Sequence, residues 1–176
     1  MDLHRALVLT HVTGMIGLFG TLTIEGLAVR FLRRATTYEQ AREWTAVWTL
    51  LPAIGAPSIL LSLASGIYLA TLLGVWGFSW AQVSVPTLVM VAVAGGVVGP
   101  RRNRVRAAIG SNNGPLPDVL RHQIRHPSLS TSWRVRATLL SALVVDMVIK
   151  PDGAIGLLAA LALVGIVWSI PQWMNK

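Results

Sequence analysis

The stretch ALVLTHVTGMIGLFGTLTIEGLAV, residues 6–29, decides the fold. A hydrocarbon core about 30 Å thick takes about 20 helical residues at 1.5 Å each, and this run is long enough while still carrying His11 and Glu25. Four further stretches of similar character follow, at residues 48–73, 80–99, 130–149 and 154–170. The last two have shorter apolar centres that flanking residues complete: Trp133, Arg134 and Arg136 suit headgroup level beside the fourth, and Trp168 and Trp173 end the fifth. A soluble helical bundle is the competing reading. With 53% hydrophobic residues against 12% charged, too little polar surface remains to solvate one. The expectation is therefore an all-α, polytopic membrane bundle of five transmembrane helices, one domain over residues 1–176.

Charge placement orients it. Of 15 lysines and arginines, Arg30, Arg33, Arg34 and Arg42 fall in the first connection, residues 30–47. Another eight arginines, from Arg101 to Arg136, lie in or beside the third, residues 100–132. Lys176 joins that side, leaving Arg5 and Lys150 on the other. The positive-inside rule then places the N-terminus outside, the C-terminus in the cytoplasm, and the chain in a bacterial cytoplasmic membrane. A net charge of +8 could otherwise suggest nucleic acid, but its confinement to two connections points to lipid phosphates. The first span is read as retained rather than as a cleaved signal, being too long for an h-region and anchored by Arg30 to Arg34. With no cysteine, disulfides and thiolate metal sites are excluded.

Residues 36–47 are polar and helix-prone, and suggest a segment along the inner interface before the chain turns into the membrane. Pro52 and Pro57 each remove a backbone donor from the second span. Gly55, Ser58, Ser62, Ser65 and Gly66 form a small-residue face there, the mark of close helix packing. Val75 to Ser79 reads as a tight outer hairpin, Gly110 to Pro115 as a flexible turn, and the stretch between Pro117 and Pro127 as one short helix.

Candidate chemistry is sparse. His11, Gly14, Leu18, Thr21 and Glu25 share one helical face, which should point into the bundle because ionisable groups are costly against lipid. His11 is then either a haem or metal ligand, a proton-transfer group, or a histidine hydrogen-bonded to a neighbouring helix. Glu25 pairs with an inner-surface arginine, Arg30 being only about a turn away. The topology gives Tyr68, Gln82, Ser84, Asp146 and Lys150 the same outer half as His11, a candidate polar cavity, although Asp146 and Lys150 are also spaced for an ion pair. Asp118, His122 and His126 have the four-residue spacing a divalent metal could use, against the repulsion of Arg121 and Arg125. No broken-helix pair or buried charge chain stands out to support a small-solute or metal transporter.

Residues 7–20, LVLTHVTGMIGLFG, resemble the leading helix of small bacterial membrane proteins: an uncharacterised domain-of-unknown-function family of integral membrane proteins, and more distantly the copper-resistance D-like membrane domain and the J-type protoporphyrinogen oxidase. Residues 61–69, LSLASGIYL, look like their second helix, and residues 146–151, DMVIKP, the end of their fourth. The resemblance implies haem as a cofactor, with His11 at the position that would ligate it. The third stretch departs from the oxidase in lacking its lysine and histidine, which argues against porphyrinogen oxidation. The expected role is a small accessory or scaffold subunit of a membrane complex, its partners the bilayer and other membrane subunits. The alternative is a haem- or metal-binding redox protein using His11. For the topology, reporter fusions should place Asn112 in the cytoplasm and Val75 outside; a fusion at Asn112 active only outside would invert the orientation.

Overall fold

A computed structural model describes residues 2–150. Its elements are α1 (Leu3–Leu32), α2 (Tyr38–Leu72), a 3-10 turn at Val75–Gly77, α3 (Ser79–Ile109), α4 (Asp118–Arg125) and α5 (Pro127–Ile149), with no strand among the described residues. Helices α1, α2 and α3 are long and apolar enough to cross a membrane. The fourth expected span lies in α5, but Arg134, Arg136 and Asp146 dilute its hydropathy and it is not among those three. The fifth lies outside the described residues.

Helix α1 packs on α2, α2 on α3, α3 on α5 and α5 on α1, closing a four-helix ring. The α1–α2 seam is built from small residues. A Cβ at Gly14 would overlap Ser62 and approach the Ser58 carbonyl at 2.9 Å; one at Gly17 would meet the Ser58 side chain, and Thr21 lies against Gly55. The small-residue face on the second span is thus what lets the two backbones approach closely, as such faces do where lipid offers no hydrophobic drive. Pro52 and Pro57 lie inside α2 without ending it.

The basic connections are more ordered than loops. Residues 38–47 form no separate interfacial segment: α2 runs unbroken from Tyr38, its start capped by Thr37 Oγ1, which accepts the Gln40 N–H at 3.4 Å, while Gln40 Oε1 accepts the Thr36 N–H at 3.0 Å. Helix α3 likewise continues through Pro100 to Ile109. The short helix expected between Pro117 and Pro127 is α4, which buries Leu120 and Ile124 and turns its charges outward. These segments enclose an apolar core with Leu32, Trp48, Val105, Ile109 and Leu116, at the arginine-rich end of the bundle. A second core holds Leu18, Leu22, Leu88, Leu140 and Leu143 midway along it.

A latch joins the two connections. Tyr38 N donates to the Gly114 carbonyl at 2.9 Å and Leu116 N to that of Thr36 at 2.9 Å. Arg42 reaches across to the Gly110 carbonyl at 3.0 Å and to that of Asn112, and Glu39 Oε1 accepts the Gly114 N–H at 3.0 Å. The stretch read as a flexible turn is therefore pinned. Glu39 stands outside the apolar part of α2, and the Gly114 N–H, with help from its own backbone, Thr37 and Arg42, holds its carboxyl below the ordinary 4.5. A depressed carboxylate stabilises the folded latch above the unfolded value and loses that effect as pH falls through the folded one. The protection of the Gly114 amide, its exchange divided into the intrinsic rate at each pH, should hold above about pH 5 and fall with more acid, whereas Glu39→Gln should flatten that pH dependence.

Candidate functional site

Among the described residues, a buried polar site is built on Glu25. One helical turn before it, Leu22 offers its carbonyl to the Trp133 indole N–H at 2.7 Å. The Trp133 ring lies over Gly26, where a Cβ would overlap it, so glycine is required for α5 to dock here. That docking brings Arg136, one turn further along α5, onto the Glu25 carboxylate. Arg102 of α3 meets the same oxygen, Oε1. Helices α3 and α5 are further tied where Ser132 Oγ donates to the Ala94 carbonyl at 2.9 Å. Glu25 itself is only 3% exposed.

Glu25 does pair with arginines of the basic side, as expected, but with Arg102 and Arg136 of two other helices rather than with Arg30 a turn away. A buried charge chain also exists, where none was visible along the sequence. Sequence position does not single out Arg102 and Arg136, because arginines in basic connections normally lie at the membrane surface. A signal was present: Ser84, Leu88, Val91, Gly95, Arg102 and Arg106 recur at three-, four- and seven-residue steps, one face of α3 that turns from small and apolar to cationic.

Above the triad lies a cavity of about 580 Å³ between α1, α2 and α3. Trp48 and Arg102 form part of its wall, with the guanidinium 5.8 Å from the indole ring centre. Both the Trp48 indole N–H and Arg102 Nε are buried without an acceptor among the described residues.

The residues expected at the opposite end do not assemble into one polar site. His11 Nδ1 lies 2.9 Å from the Ser62 carbonyl and 3.3 Å from Ser65 Oγ. A carbonyl only accepts, so Nδ1 carries the proton and Nε2 of the neutral ring keeps its lone pair. His11 and Ser84 share a small apolar-walled cavity of about 60 Å³. Tyr68, Gln82, Asp146 and Lys150 do not line it. Tyr68 is half exposed, Gln82 donates to the Trp76 carbonyl at 2.8 Å, and Ser84 Oγ donates within its own helix to Trp80.

Asp146 and Lys150 form no ion pair among the described residues. Lys150 leaves the helix in the left-handed region (φ 49°), so its side chain does not stand one turn above Asp146; its ammonium sits 5.4 Å from the Trp80 ring centre instead. Asp146 Oδ2 is buried without a hydrogen bond there. Asp118, His122 and His126 border one open surface depression, but Asp118 pairs with Arg121 at 3.5 Å and His126 Nδ1 accepts the Ser128 N–H at 3.3 Å, capping α5. Among the described residues, no three histidines or carboxylates are gathered to hold a metal ion.

Removing one member of a buried ion cluster leaves its partners charged and uncompensated, at a cost of about 3–5 kcal/mol, whereas replacing all members with apolar groups is often neutral. Glu25→Gln should therefore lower the melting temperature in detergent sharply. The triple change Glu25→Met, Arg102→Met, Arg136→Met should recover most of that loss; a triple variant as unstable as Glu25→Gln would refute a purely pairwise role for the charges.

No family model matches this chain, and no curated protein and no solved structure matches it either.

Proposed function

We propose that this chain is a small multi-pass protein of a bacterial cytoplasmic membrane, serving as an accessory or scaffold subunit of a membrane complex. One observation carries the reading. Glu25, the most deeply buried carboxylate among the described residues, is consumed by two arginines that join α1, α3 and α5, so this polar interior holds helices together rather than presenting a reactive group. The outer faces fit the same role. Ile16, Leu50, Leu60, Val93 and Val97 are all more than half exposed, offering apolar surface to lipid tails or to neighbouring helices. The arginine crowding of residues 30–47 and 100–132 supports an N-terminus outside the cell and those connections in the cytoplasm.

A second reading, a haem- or metal-binding redox protein, is favoured by the state of His11. Metal-ligating histidines almost always donate their other ring N–H to a carbonyl or carboxylate, and the Nδ1–H···O=C bond to Ser62 has that form. His11 also borders an open groove of about 520 Å³ between α1 and α5, whose walls include Met15, Phe19 and Met147. Haem is the cofactor that the likeness of the leading helix to the J-type oxidase would imply. The residues fit an axial ligand at one face, and the thioethers of Met15 and Met147 in the same walls are of a type that also ligates haem.

One preparation separates the two. Purified in mild detergent from its own membranes, a scaffold subunit should bring down a membrane partner in fixed stoichiometry and show no Soret band, even after incubation with haemin. A Soret band that His11→Ala abolishes, in protein that purifies alone, would replace the scaffold reading with the redox one.

A further inference from the structure

The cavity above Glu25 has two unlike ends. Leu18, Ile59, Leu60 and Val91 make one end apolar, and Leu60 is 66% exposed, so the cavity opens sideways where lipid tails would lie. Arg102, Arg106 and Arg136 stand at the other end against the single carboxylate of Glu25. Two positive charges are therefore left over, and Arg106 makes no ion pair among the described residues. The distance between the ends is considerable: Val91 and Arg106 are 15 residues apart on α3, about 22 Å at 1.5 Å per residue.

The wall between them is glycine. Gly96 and Gly99 both border the cavity, and among the described residues a Cβ built on either would meet nothing within 4 Å. Glycine costs a helix about 1 kcal/mol relative to alanine, and these two give no close helix contact in return. The cavity volume, about 580 Å³, falls within the ~300–1,000 Å³ of small-molecule sites. Its polar groups ask for an acceptor. Trp48, 5% exposed, holds an indole N–H without a partner among the described residues, and Arg102 Nε beside it is in the same position. Buried donors of this kind are normally satisfied.

We propose that this cavity is a binding site for a single acyl-chain amphiphile with an acidic head, carboxylate or phosphate. The head lies among Trp48, Arg102 and Arg106, and the chain runs along the Gly96–Gly99 face toward Leu60. Neutral or zwitterionic heads are discriminated against, because they leave the excess positive charge uncompensated. The triad contributes by holding Arg102 and Arg136 in place while Glu25 keeps the site from carrying three unbalanced charges.

The test is equilibrium binding to the full-length protein in an uncharged detergent, with radiolabelled stearate, lysophosphatidylglycerol and lysophosphatidylcholine, each with one chain, as separate probes. Saturable binding of about one equivalent of stearate or lysophosphatidylglycerol is expected, at least about tenfold tighter than lysophosphatidylcholine. Whichever acidic probe binds tighter distinguishes a carboxylate from a phosphate head. Gly99→Leu and Gly96→Leu each put a side chain where no described residue stands within 4 Å, so both should keep the melting temperature and weaken binding by at least about tenfold. Arg106→Gln, which leaves the triad intact, should weaken the acidic probe and reduce its salt dependence. Equal binding of all three probes, absence of a saturable component, or unchanged affinity in a folded glycine variant would overturn the proposal.

Discussion

A single carboxylate holds the described bundle in its arrangement. Among the described residues Glu25 is the acid that meets arginines of two other helices, and it neutralises charges that could not otherwise enter the interior. Because α3 and α5 bring one arginine each, their rotation about their own axes is limited to orientations that point Arg102 and Arg136 at α1. Apolar packing alone would restrict this weakly, since lipid tails are as good a solvent for leucine as another helix is. The α1–α2 seam works differently, through close backbone approach over Gly14, Gly17 and Gly55. One half of the ring is thus held by steric fit and the other by charge.

The same division explains what could be read from the amino-acid order. The long apolar stretches and the small-residue face of α2 were legible because a helix displays both as a local period. The hairpin at Val75 and the helix before Pro127 were legible through turn chemistry. Tertiary partnerships were not. Arg102 and Arg136 sit within runs of arginines and look alike in sequence to Arg101 and Arg134; only the docking of Trp133 into the gap at Gly26 selects which of them face inward. Asp146 and Lys150 had the spacing of a helical ion pair, yet the left-handed backbone at Lys150 ends the helix and diverts its side chain to Trp80. The polar residues at that end have similar depth but mostly satisfy themselves within their own helix or turn, so depth did not amount to convergence.

His11 was legible as an inward-facing residue, and the alternatives offered for it are narrowed by one hydrogen bond. Its partner is a backbone carbonyl, which fixes the tautomer of the neutral ring without committing the other nitrogen. That arrangement serves a structural histidine and a ligating one equally well at Nδ1. The difference lies in what meets Nε2, and the adjoining cavity and groove, about 60 and 520 Å³, set the scale of what can do so.

The helices are much longer than a bilayer is thick, and they are unequally restrained at their two ends. At 31 and 35 residues, α3 and α2 extend about 46 and 52 Å, against a hydrocarbon core of about 30 Å. At the arginine-rich end, the surplus turns are fused by the apolar core and by the latch from Arg42 and Glu39 to residues 110–114. At the other, among the described residues, α2 and α3 are joined by a single short 3-10 turn. In a bilayer that thins or thickens, the helices must tilt to keep their apolar lengths covered. The fused end would tilt as one rigid block, so changes in membrane thickness would be felt as relative motion at the turn-linked end, beside His11 and Trp80, while the geometry around Glu25 stayed constant.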